Sequence, residues 1–165
     1  MLRRRLEAVP EVLQDFDLAA EQKYWEGLEL LLAGHRAGSI YVLGYEAEMI
    51  LKYACFRALG HRPGTAVAGL FGPAKKWMQI RRPMIRSEGY HSLWFWMHNL
   101  RATRRTLGNP MPIATDVEIV RRIRRLYQIW WVEMRYRPDR AHAGEVLTVF
   151  DDVSWLRANR IQLWS

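Results

Sequence analysis

Apolar positions along this chain follow a helical rhythm, and the broadest apolar block is residues 39–59, SIYVLGYEAEMILKYACFRAL. It has no Pro, a single Gly (Gly44), and only Glu46, Glu48, Lys52 and Arg57 as charged residues. An apolar face that wide predicts a helix packed on several sides rather than a surface helix with one apolar stripe. The length of the block and the Gly60 that follows it favour helix over strand. At about 100° per residue, Glu48 and Lys52 share a stripe with Gly44 and Cys55, and Glu46 and Arg57 point roughly the opposite way. A carboxylate and an amine one turn apart in such a helix need partners, because an unpaired buried charge is costly. The pattern therefore predicts a buried Glu48 in contact with Lys52 or with an Arg of the 135–137 segment, read as a structural ion pair.

The remaining pattern predicts further helices around this one. A first helix is expected over 17–36, with Leu18, Trp25, Leu28 and Leu32 inward, and Ala37-Gly38 breaks it. Ser39 is the expected N-cap of the central helix, and the short connection makes the two helices antiparallel neighbours. A loop rich in Gly and Pro covers 60–72, a short helix 73–80, and a basic loop RRPMIRSEGY follows. A third long helix opens near His91, with Leu93, Trp96, Met97 and Leu100 inward and Arg101, Arg104 and Arg105 at its polar end. Thr115 or Asp116 caps a fourth over 116–136, through Ile119, Ile123, Leu126, Trp130 and Met134. After the hinge RPDRAHAG, a closing helix spans 145–158 through Val146, Val149, Phe150, Val153 and Leu156. No strand pattern, repeat or second composition regime is present. The predicted architecture is an all-α, up-and-down bundle of four or five helices, a basic lead-in over 1–14 and one domain over 15–160.

Composition narrows the chemistry. The 165 residues are half apolar with eight Trp, enough for a real core. No apolar run is long enough to cross a bilayer, and the basic start lacks an apolar signal core, so an unprocessed cytoplasmic chain is expected. The single cysteine, Cys55, lies in the central helix and reads as a buried thiol. The formal charge of +8 makes a polyanion a plausible partner. Arg121, Arg122, Arg124 and Arg125 on the fourth helix, with Arg140 in the hinge, are the candidate phosphate contacts, a solvated face being the alternative. No cofactor or metal is expected: His91 and His98 lie too far apart along a helix to share an ion, and adjacent Asp151 and Asp152 diverge by about 100°. The glycines of GHRPGTAVAGLFG match no phosphate-binding loop.

GYEAEMILK resembles the Gly-Tyr-x-x-Glu-x-x-x-Lys signature of the central helix of HEPN domains, carried here by Gly44, Tyr45, Glu48 and Lys52. His91-Ser92-Leu93 is similar to the His-x-Leu that opens a later helix in that family, and the likeness spans about 41–156. The hinge RYRPDRAH resembles the Arg-x(4 to 6)-His motif of HEPN ribonucleases, in two registers: Arg137 to His142 and Arg135 to His142. There the resemblance implies that Arg steadies a phosphate and His acts as acid or base on a ribose hydroxyl without metal, chemistry that suits both side chains. Arg137 and His142 are the implied catalytic pair, with Arg135 structural through Glu48. VEMRYRPD is also similar to the Arg-Tyr-Pro-Asp stretch of HEPN domains that accompany nucleotidyltransferases, with Arg137 inserted.

Three functions follow from these features. One is a non-catalytic binding module that docks a nucleotidyltransferase-like or other effector partner and binds nucleotide or RNA. Another is a metal-independent endoribonuclease of the toxin or defence type. The last is a scaffold with no polyanion ligand. The resemblance further implies a twofold homodimer built on the side that carries the hinge.

Overall fold

A computed structural model describes residues 11–81, 91–130 and 141–165. Its helices are α1 (Gln14–Leu32), α2 (Arg36–Ala58), α3 (Phe71–Arg81), α4 (Leu93–Thr106), α5 (Ile113–Ile129), α6 (Ala143–Ala158) and α7 (Arg160–Trp164), with a 3-10 turn at Val67–Gly69. Among the described residues no strand forms, and a lone bridge joins Val12 to Ala66. The molecule is an all-α helical bundle, and no described helix is long and apolar enough to cross a membrane.

The central block is the axis of the fold, as its apolar breadth requires. Helix α2 packs against α1, α4, α6 and α7 and buries residues all round its circumference, from Ile40 and Leu43 to Ala54 and Phe56. It begins at Arg36, three residues before Ser39, so Ser39 is not its cap. The Ser39 hydroxyl is buried and donates to the Gly27 carbonyl at 2.8 Å, tying α2 to α1. The two helices run antiparallel: Leu30 lies near Gly38, Gly27 against Leu43, and Phe16 near Lys52. A Cβ on Gly27 would sit 2.7 Å from Leu43 Cγ, so this glycine sets how closely the helices approach.

That close approach fixes the register of α1 and corrects its expected inward face. Phe16, Ala20 and Gly27 are buried, whereas Leu18, Trp25 and Leu32 are exposed at 59%, 53% and 80%. Trp25 instead donates its indole N–H to Glu21 at 3.0 Å on the outer surface. Gly34, at φ 83°, closes the helix two residues after Leu32.

Helices α4 to α6 match their patterns closely. Leu93, Trp96, Met97 and Leu100 are fully buried, as are Ile119, Ile123, Leu126, Val149, Val153 and Leu156. Ser92 caps α4 by accepting from the Phe95 amide at 3.1 Å. Helix α5 starts earlier than expected, after Pro112, so Thr115 and Asp116 fall inside its first turn, and it ends at Ile129, with Trp130 in extended backbone rather than inside the helix as expected. Met134 lies outside the described residues. Packing also extends beyond the expected domain limits: Leu13 is fully buried, and so is Leu163 of α7. Arg104, expected at a polar helix end, is 3% exposed and donates to the carbonyls of Asn109, Gln162, Leu163 and Ser165.

Candidate functional site

The signature stripe of α2 forms a layered polar centre. Glu48 is 2% exposed and accepts a hydrogen bond from the Lys52 ammonium. That ammonium is itself buried, 5.3 Å from the Phe71 ring centre, 5.7 Å from Trp96 and 5.9 Å from Phe16. Three ring faces and one carboxylate replace the water a buried lysine would otherwise lose. Glu48 also faces His91, whose Nδ1 lies 3.1 Å from Oε2 and 3.2 Å from Oε1. An acceptor-only carboxylate there puts the imidazole proton on Nδ1, and the ring is half-exposed. The expected pairing of Glu48 with Lys52 is thus present, and His91 joins it from the residue preceding the α4 cap.

Gly44 and Tyr45 have packing roles one turn earlier. A Cβ on Gly44 would fall 2.1 Å from the Trp130 ring, so only glycine lets that indole lie on α2. Trp130 donates its Nε1–H to the Tyr41 carbonyl at 3.0 Å. Tyr45 meets Trp130 and His91 edge-on, at centroid distances of 5.5 and 6.1 Å, and its hydroxyl is 3.1 Å from that of Tyr41. The four signature positions therefore build one continuous contact from α2 to α4 and to the end of α5.

At the hinge, His142 is exposed and precedes the first residue of α6. Its backbone N–H donates to the Glu145 carboxylate at 2.8 Å, which fixes the chain there and leaves the imidazole at the surface. Arg135, Arg137 and Arg140 lie outside the described residues, as does Pro138.

The α5 arginines are mostly committed to internal partners. Arg121 and Arg122 both bond Glu118, whose carboxyl is held down to about 2 chiefly by Arg121. Arg122 is nearly buried, donates to Asp151 at 2.9 Å and Asp152 at 3.1 Å, and stacks 5.2 Å from the Trp155 ring centre. Arg125 bonds both aspartates as well. Adjacent Asp151 and Asp152 thus serve as a dock for α5 on α6. Arg124 is exposed and has no hydrogen bond or ion pair among the described residues.

One buried group escaped the sequence reading. Glu46 is fully buried, and neither of its oxygens has a hydrogen-bond partner among the described residues. Arg157 Nη1 stands 3.7 Å away but donates through Nη2 to Glu21 and packs 4.2 Å from the Tyr24 ring centre. Burial pushes the Glu46 carboxyl up to about 8, against the opposing pull of Arg157. Burial likewise raises the Cys55 thiol far above its usual range, so it is inert at neutral pH. No group of three or more His, Cys, Asp or Glu side chains able to hold a metal ion forms among the described residues.

No family model, curated protein or solved structure matches this chain.

Proposed function

We propose that this chain is a non-catalytic, HEPN-like helical binding module that docks an effector partner, nucleotidyltransferase-like in kind, and binds RNA or nucleotide. The observation that carries the reading is the internal use of its charged groups. Glu48 is neutralised by Lys52 inside an aromatic cage, and Arg121, Arg122 and Arg125 are tied to Glu118, Asp151 and Asp152. Groups consumed in that way hold helices together and are poorly placed to turn over a substrate. Two exposed features support docking. The Leu18, Trp25 and Leu32 stripe on α1 has the seven-residue spacing of a helix-on-helix contact, and Arg124 is exposed on α5 with no hydrogen bond or ion pair among the described residues. A twofold dimer belongs to the same reading, and light scattering that finds only monomer at high concentration would remove it.

The second reading, a metal-independent endoribonuclease using Arg137 and His142, draws on one observation. The His142 imidazole is exposed, at the N-terminal end of α6, where the helix favours a bound anion. Binding of a fluorescent single-stranded RNA, followed by anisotropy over a range of salt, tests the module. His142→Ala should change affinity by less than about twofold, and Arg124→Ala should weaken binding to all sequences and lower the salt slope by about one. Absence of any salt-dependent binding would leave the scaffold role in its place.

A further inference from the structure

Where α1, α2 and α6 meet, Arg157 stands between two acids. Its Nη1 is 3.7 Å from Glu46 Oε1 on α2, and its Nη2 donates to Glu21 Oε1 on α1. Glu46 is fully buried, and neither of its oxygens accepts a hydrogen bond among the described residues. Glu21 is better supplied. The Trp25 indole donates to the same Oε1 at 3.0 Å, and Arg160 Nη1 lies 3.9 Å from Oε2. The charged groups that act on Glu46 are Arg157 from α6, Glu21 from α1 and Arg160 from α7, the last of which also reaches Asp17 of α1. A buried carboxyl with no donor is too costly to keep ionised, so Glu46 holds its proton and Arg157 is left to Glu21.

We propose that Arg157 is a proton-controlled latch, tying α6 to α1 through Glu21 while Glu46 is protonated and turning to Glu46 on α2 once that carboxyl loses its proton to water. Two differences between the acids set the direction. Glu21 is 40% exposed, so water, Trp25 and Arg160 satisfy it when the guanidinium leaves. Ionised Glu46 has no other donor among the described residues, and attraction at its buried position is screened far less. The travel is short. A shift of about 1 Å brings Nη1 to the distance of a charged hydrogen bond, and the same inward shift draws Nη2 away from Glu21. Below the transition α6 is linked to α1, and above it to α2, so α1 loses its guanidinium tie as pH rises. The latch stands independently of RNA or effector binding.

NMR of the full native chain across the range in which Glu46 ionises follows both ends of the latch. The Glu46 carboxyl carbon reports its own ionisation, with a midpoint expected near pH 8. The Trp25 indole N–H, assigned by its loss in Trp25→Phe, reports what else is bonded to Glu21 Oε1. As Glu46 ionises, the indole proton should move downfield with the same midpoint, because it then has that oxygen to itself. In Glu46→Gln, which keeps the neutral form, the indole should stay at its acid position throughout. In Arg157→Gln, Glu46 should titrate about one pH unit higher or more for want of the opposite charge, and the indole should no longer follow it. Each variant tests the latch without the other, should one fail to fold. An indole that stays still while Glu46 titrates in the native chain would overturn the proposal, since Arg157 would then bridge both acids. So would an indole shift that persists in Glu46→Gln, or a Glu46 carboxylate already ionised at the acid end of the titration.

Discussion

Glu48 and Glu46 lie two residues apart on one helix and meet opposite fates. Glu48 has a cation and an imidazole within reach, whereas Glu46 has one guanidinium just beyond hydrogen-bond distance. Replacing Glu48 by Ala strands a buried ammonium, and the expected loss is about 3–5 kcal/mol of stability in urea unfolding. Exchanging the pair together, Glu48→Leu with Lys52→Met, should recover most of that loss, because a buried ion pair often stabilises no more than apolar residues of the same volume. If the single and the double change cost the same, the ammonium is not the group that suffers. Glu46 predicts a pH dependence instead. Its carboxyl titrates near 8 in the fold against 4.5 when unperturbed, so the folded state holds the extra proton between those values. Stability from this group is then complete below about 4.5 and falls as pH rises towards 8. Glu46→Gln should remove that slope, so its melting temperature gains on the native chain as pH rises from 5 to 8, about the span of the shift. A constant difference between the two proteins across that range would contradict the assignment.

At the scale of elements, helical periodicity carried most of the fold, and the exceptions have physical causes. The inward positions of α4 and α5 were readable because each helix has one strongly apolar face against a polar one. Helix α1 was misread because large apolar residues mark two of its faces, and the buried face is chosen by a glycine. Gly27 and Ala20 let α2 approach, a signal of small size that hydrophobicity does not record. Glu46 was placed opposite Glu48 correctly. On a helix packed all round, however, the opposite side is also interior. Arg104 looked like a solvated helix end because three of its four carbonyl partners lie some sixty residues further on, which no local pattern reveals. Its guanidinium holds α7 against α4, so Arg104→Met should cost about 2–4 kcal/mol and release hydrogen-exchange protection first in Arg160–Trp164. Equal loss of protection throughout the bundle would instead make Arg104 part of the global core.

For the whole molecule, helical periodicity with no strand pattern predicted an all-α bundle, and the described residues form one. The candidate site was legible in part. The Glu48–Lys52 pair could be read from spacing of one turn on a buried helix. The addition of His91 could not, since it depends on where α4 begins relative to α2. The internal ion pairs of α5 were equally hidden, because Asp151 and Asp152 approach from a helix distant in sequence. Those pairings turn an apparent cationic stripe into helix-to-helix contacts, and they are why the basic charge alone does not define a polyanion site. The central claim, a module that binds without cutting, is tested most directly by incubating the purified native chain with RNA in the presence of a metal chelator, alongside His142→Ala. The account predicts intact RNA with both proteins at matched concentrations. Cleavage by the native chain that disappears in His142→Ala would contradict it and establish the exposed imidazole as a catalytic group.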